Sequence, residues 1–125
     1  MRIISGKYKG KRLVAPKKLP VRPTTDFAKE ALFNILMHRL DFEEITLLDL
    51  YAGTGNISYE FGSRGTNDIT AIDSYYGCVK YINSIAEELN FLFCISDNWN
   101  AVAHMNSDIR ILLKLVVKYL TNRNA

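Results

Sequence analysis

Apolar and polar positions alternate along the chain in a way that divides it into short, well-separated elements. Arg2-Ile3-Ile4 stands before the polar, glycine-bearing run Ser5-Gly6-Lys7-Tyr8-Lys9-Gly10, and Lys11-Arg12-Leu13-Val14 stands after it. Apolar residues on both sides of such a turn predict a small β-hairpin over residues 1–15. Pro16, Pro20 and Pro23 then punctuate an extended stretch, because proline has no amide hydrogen and restricts the residue before it. Thr24-Thr25-Asp26 offer side-chain oxygens to the free amides of a helix start. From Phe27 to about Arg39 the period is helical, with Phe27, Ala31, Ile35 and Leu36 on one face and Leu32 and Phe33 widening it.

Further on, residues 46–50 predict a first buried strand, residues 57–63 a helix ending near Gly62-Ser63-Arg64-Gly65, and residues 69–72 a second strand closed by Asp73. A third helix is predicted over residues 75–89, with Ser74 as its cap. This β-α-β-α order implies a parallel sheet with right-handed crossovers. Residues 92–95 predict a third strand followed by Ser96-Asp97, and 109–117 reads equally as a strand or as the start of a helix. That apolar tail would either cover an open face of the sheet or drive association. The polar stretch 98–107 has no readable period.

The densest chemical signal is Leu48-Asp49-Leu50-Tyr51-Ala52-Gly53-Thr54-Gly55-Asn56. A strand ending near an acid, two glycines one residue apart and a helix start make a nucleotide-type pocket at the carboxyl end of a sheet. Glycine serves there because it tolerates backbone angles other residues resist and lets a ligand approach the main chain. Asp73 closes the second strand 24 residues after Asp49, where a carboxylate can accept hydrogen bonds from ribose hydroxyls. The full G-x-G-x-x-G spacing of dinucleotide sites is absent, which disfavours a nicotinamide-dependent oxidoreductase. Asp-x-x-x-Gly-x-Gly suits S-adenosylmethionine better, with Asp49 orienting its methionine end.

Charge sharpens the picture. Net charge is only +3, yet residues 1–22 hold 8 of the 16 basic residues and no acid, leaving 8 basic against 13 acidic residues beyond. A block of this kind is either a solvated tail or a seat for a polyanion. Tyr8 among the lysines, able to stack on bases, favours nucleic acid. Cys78 and Cys94 lie far apart without metal-ligand spacing and are expected to be free thiols, as in the cytoplasm. No metal site and no membrane span is expected. His38 and His104 fall into no triad, and Trp99 and Tyr119 are expected to be partly buried rather than stacking platforms.

Three stretches carry a specific resemblance. Residues 1–13, then Arg22-Pro23-Thr24-Thr25-Asp26 with Glu30, Leu32-Phe33-Asn34 and Leu36, then Leu48 to Gly55 with Ser63-Arg64-Gly65, occur in order. Together they resemble the bacterial 16S ribosomal RNA guanine-N2 methyltransferases over roughly residues 1–90. The resemblance implies an α/β fold: a Rossmann-like, incomplete S-adenosylmethionine-dependent methyltransferase sheet over 24–125, with a basic hairpin and linker over 1–23 as an RNA-binding extension. It implies methyl transfer to the exocyclic N2 amine of a guanine, with ribosomal RNA or the small ribosomal subunit as partner. The cofactor site would comprise Asp49, Tyr51, Ala52, Gly53, Thr54, Gly55, Asn56, Asp73 and Asp97. The RNA site would comprise Arg2, Lys7, Tyr8, Lys9, Lys11, Arg12, Arg22, Thr24 and Thr25.

The same family carries an Asn/Asp-Pro-Pro-Tyr/Phe tetrapeptide that holds the target amine and stacks on the flipped base. All three prolines here precede residue 24, so no such segment exists in this sequence. No catalytic residue is therefore assigned, and beyond about residue 90 the chain is expected to be truncated or divergent relative to that family. The alternative expectation is a module that binds S-adenosylmethionine or RNA without transferring a methyl group.

Overall fold

The computed structural model describes residues 1–98 together with the strand residues Arg110 and Ile111. Trp99, His104, Tyr119 and the rest of the tail lie outside the described residues, as does most of 109–117. The element order is α1 (Asp26–Leu36), β1 (Thr46–Leu50), α2 (Asn56–Ser63), β2 (Asp68–Ile72), α3 (Tyr76–Glu88), β3 (Phe93–Ser96) and β4 (Arg110–Ile111). The four strands form one parallel sheet in the order β3-β2-β1-β4.

β1 and β2 occupy the middle of the sheet, and their runs of consecutive buried residues are what a strand covered on both faces requires. The chain lays down β1, β2 and β3 outward in one direction, then returns to pair β4 with the free edge of β1. That reversal makes the carboxyl end of β1 a topological switch point, where open α/β sheets leave a crevice.

Two apolar clusters hold the elements together. One joins Ile3, Leu13 and Leu19 of the N-terminal segment to Tyr59 of α2 and to Cys78, Ile82, Ile85 and Leu89. The other packs Phe33 and Leu36 of α1 against Leu47, Ile57, Phe61 and Ile69. The N-terminal segment is thus part of the folded core rather than a solvated tail.

Several expectations need correction. The predicted face of α1 is rotated: Phe27 and Ile35 are 84% and 57% exposed, while Lys29, Phe33 and Leu36 point inward. Hydrophobic periodicity missed this because a lysine lies at the centre of the buried stripe. The helix also stops at Leu36, and Thr25 caps its start by accepting a hydrogen bond from the amide of Ala28. Ser74 does not cap α3. Tyr75 occupies that position without a side-chain bond, and its own amide donates to the Asp73 carboxylate at 2.9 Å. The hairpin reduces to one antiparallel bridge between Arg2 and Arg12 with flanking main-chain bonds. The third strand is shifted by one residue, leaving Leu92 outside it and 91% exposed.

Candidate functional site

β1 ends in a turn whose backbone is unusual at three residues. Tyr51, Gly53 and Gly55 have φ of 58, 61 and 82°. A non-glycine residue rarely adopts the left-handed region, and such strain concentrates at functional sites. The Gly55 amide closes the turn onto the Ala52 carbonyl at 2.9 Å, and the Ala52 amide reaches the Ile72 carbonyl at 2.9 Å, which ties the turn to the end of β2. Gly55 is fixed by more than its φ: a Cβ there would lie 2.6 Å from the Tyr59 ring and hydroxyl.

Asp73 braces this turn from the neighbouring strand. It is 9% exposed; one carboxylate oxygen accepts from the Gly53 amide at 2.8 Å and the other from Tyr75. Asp49 is buried within β1 and accepts from the Ser58 hydroxyl at 2.7 Å, so its carboxylate is oriented by the first turn of α2. Asp97 follows β3 and is exposed. The register pairs Ile72 with Ser96, and the Asp73 amide donates to the Ser96 carbonyl at 3.2 Å, so Asp97 stands beside Asp73. The carboxyl-terminal parts of β1, β2 and β3 therefore carry or precede the acids that the sequence singled out. Ala52 and Thr54 are buried in the turn, and Tyr51 is exposed at its mouth.

Asn56 is used differently from expectation. Its side-chain amide donates to the Thr24 carbonyl and its oxygen accepts from the Lys29 ammonium, both at 2.8 Å. The side chain therefore tethers the linker instead of facing the turn. Ser58 and Tyr59 were missed by sequence reasoning. Burial pushes the Tyr59 phenol well above its ordinary range, with Tyr81, Asp49 and Cys78 adding to the effect, so it stays neutral.

A second buried cluster also escaped the sequence. The Lys29 ammonium donates to the Arg2 carbonyl at 2.8 Å, to Asn56, and to Glu60 at 2.9 Å. Glu60 accepts further bonds from the amides of Ile4 and Ser5 and from the Arg64 guanidinium. Burial opposes the charged form of Glu60, but the Ile4 amide, Lys29 and Arg64 together outweigh it and hold the carboxyl below its usual range. Arg64 in turn lies 4.6 Å over the Phe33 ring. The one sequence signal for this cluster is the spacing of Glu60 and Arg64, four apart on a helix. No spacing in the sequence announces Lys29.

Among the residues expected to meet RNA, Lys7, Lys9, Arg12 and Arg22 are exposed. Lys11 pairs with Glu88 at 2.7 Å. Arg2 donates its amide to Asp26 and gives its carbonyl to Lys29. Thr25 is the α1 cap and Thr24 receives Asn56. Tyr8 is drawn into the packing: its hydroxyl donates to the Leu89 carbonyl, its ring meets Phe91 edge-on at 5.4 Å, and Lys7 sits over the ring. Its expected role as a base-stacking platform gives way to these contacts. Cys78 is buried and Cys94 exposed, and neither is joined in a disulfide. No helix among the described residues is long and apolar enough to cross a membrane.

Comparison with known proteins gives a consistent answer. A family model described as conserved hypothetical protein 95 matches residues 1–115. An uncharacterized methylase of Rickettsia prowazekii is 36% identical over a match covering 72% of this chain and 41% of that protein. Ribosomal RNA small subunit methyltransferase D of Haemophilus influenzae is 31% identical, covering 86% of this chain and 53% of that protein. The chain thus spans about half the length of the curated relatives it matches. A solved Escherichia coli structure, described as a candidate methyltransferase, superposes with TM-score 0.66 at 26% identity, covering 78% of this chain and 52% of that one. A hypothetical protein of Thermus thermophilus shares the fold at TM-score 0.68 and 22% identity, over 82% of this chain and 58% of that one.

Proposed function

This chain belongs to the family described as conserved hypothetical protein 95, and from that premise we propose that it holds the S-adenosylmethionine-binding half of a ribosomal RNA methyltransferase. The observation that carries the reading is the bond from the Gly53 amide to Asp73 at 2.8 Å, which couples a glycine turn at the switch point to an acid on the adjacent strand. The donor chemistry fits the cofactor. A carboxylate oxygen has two acceptor positions, so Asp73 retains capacity for the hydroxyls of a ribose after taking its two amide bonds. Asp49, oriented by Ser58, would face the ammonium of the methionine end, and the exposed Asp97 would meet the adenine edge. Tyr51 would close the mouth.

When bound, the cofactor supplies an activated methyl group. The residues of this chain bind and orient it: the glycine turn lets it approach the backbone, and the acids fix its polar ends. The exposed lysines and arginines of residues 7–22 would grip RNA phosphates, an attraction that is salt-sensitive and indifferent to sequence. The acceptor in this reading is the exocyclic N2 amine of a guanine in 16S ribosomal RNA, and the compartment is the cytoplasm.

One observation favours a narrower role for the 125-residue polypeptide itself: its sequence holds no Asn/Asp-Pro-Pro-Tyr/Phe segment to position the amine. It would bind cofactor and RNA without transferring the methyl group. Calorimetric titration with S-adenosylhomocysteine and, separately, NADH tests the cofactor. Binding of the first and not the second supports the reading; the reverse restores the dinucleotide alternative. Labelled methyl transfer to ribosomal RNA by this chain alone would overturn the narrower role.

A further inference from the structure

A concave feature borders the first half of α3. It is a cleft of about 560 Å³ between the proline-flanked linker and the start of α3, lined among others by Lys18, Leu19, Tyr75, Tyr76, Gly77 and Lys80. That volume falls within the range of small-ligand sites, ~300–1,000 Å³. Its construction is specific. Leu19 is buried and anchors the linker, whose turn is closed by the Leu19 amide on the Pro16 carbonyl. Gly77 keeps the floor open: a Cβ there would come within 2.6 Å of the Tyr75 ring and 3.1 Å of Leu19. Tyr75 and Tyr76 remain 45% and 68% exposed, while Lys18 and Lys80 stand exposed in the lining, which contains no carboxylate. The acids of the outer α3 surface, Glu87 and Glu88, sit at its far end, and Glu88 is paired with Lys11.

Exposed aromatic rings beside exposed cations are the chemistry that holds single-stranded nucleic acid, rings for the base and ammonium groups for the backbone. The geometry points to this cleft as a subsite for one unpaired nucleotide of the RNA, its base against Tyr76 and Tyr75 and its phosphates against Lys18 and Lys80. The inference rests on the RNA reading above and places a contact that the hairpin residues do not make. The site is also linked to the cofactor turn. Asp73 holds the Gly53 amide with one oxygen and the Tyr75 amide with the other, so the wall of the cleft and the glycine turn share one carboxylate.

The test uses this 125-residue chain, a fluorescein-labelled short oligouridylate and a salt titration, with S-adenosylhomocysteine binding measured in parallel. Tyr76→Ala is expected to weaken RNA binding about 10-fold with an unchanged salt slope, and Tyr76→Phe to restore it, since stacking needs the ring and not the hydroxyl. Lys18→Ala with Lys80→Ala is expected to weaken binding and lower the salt slope by ~1.4, at ~0.7 per phosphate contact on a single strand. S-adenosylhomocysteine affinity should stay unchanged in both. Wild-type RNA affinity in both cleft variants, with loss in Lys7→Ala/Lys9→Ala, would overturn the subsite and leave the RNA reading standing. No RNA binding by the unmodified chain would overturn both. Competition by polyglutamate as effective as by RNA would mark a seat for acidic protein and likewise overturn the nucleotide assignment.

Discussion

Two buried polar clusters meet at helix α2, and they are wired in opposite ways. Around Lys29 and Glu60, the three ammonium donors and both carboxylate oxygens are engaged by groups of the chain itself. Around the glycine turn, Asp73 engages two backbone amides and keeps acceptor capacity in hand. The first cluster fastens the N-terminal segment to α1 and α2 and has no capacity left for a ligand. The second braces a strained turn at the carboxyl end of the sheet. Saturation, more than the presence of charge, separates a clamp from a site.

The contrast is broken most forcefully at the clamp. Glu60→Ala leaves the Lys29 ammonium buried without its counter-charge and should cost about 3–5 kcal/mol in urea unfolding, the range for breaking a buried pair from one side. A loss below ~1 kcal/mol would show that the network carries little of the fold. At the turn, Gly55→Ala forces a Cβ into Tyr59 at a positive φ and should cost about 1–3 kcal/mol while abolishing S-adenosylhomocysteine binding. Unchanged affinity in a folded variant would remove the turn from the site.

Asp73→Ala should weaken S-adenosylhomocysteine binding by about 1–3 kcal/mol as a hydrogen bond to a charged group is lost. Calorimetry is the measurement, and wild-type affinity would take Asp73 out of the pocket. Acid probes the clamp through Glu60. Because the folded Glu60 carboxyl lies below its ordinary value of ~4.3, its contribution is complete above that pH and is lost as pH falls through the lower folded value. Thermal melts of the native chain should fall over that window more steeply than those of Glu60→Gln, which has no such carboxyl to protonate; parallel curves would remove Glu60 as the cause. The smallest effect belongs to Lys11→Ala. Its pair with Glu88 is exposed at both ends, so the loss should stay within ~0–1 kcal/mol.

Much of the architecture around the glycine turn was legible from residues 46–73. A buried run of apolar residues, a glycine pair and a strand-closing acid are local features, and the structure places Asp49, Gly53, Gly55 and Asp73 together at the strand ends. The α1 face was misread because periodicity assigns charge to the solvent, and Lys29 is charged at the centre of the buried stripe. Asn56 was read with the turn, and the structure gives its side chain to Thr24 and Lys29, both far off in sequence. The role of Tyr8 shifted for the same reason: Leu89 and Phe91, which engage it, come some eighty residues later.

The sequence by itself determined the α/β alternation, the sites of the turns and the concentration of positive charge before residue 23, because periodicity, backbone freedom and charge are properties of neighbouring residues. Only the tertiary structure decided which polar groups are saturated. It brought Lys29 to Glu60, returned β4 to the free edge of β1 so that the glycine turn lies at a switch point, and laid the linker on α3 to make a basic, aromatic cleft. The physical reason is that desolvation and hydrogen-bond satisfaction depend on whatever surrounds a group in space, and those surroundings come from parts of the chain that share no local pattern.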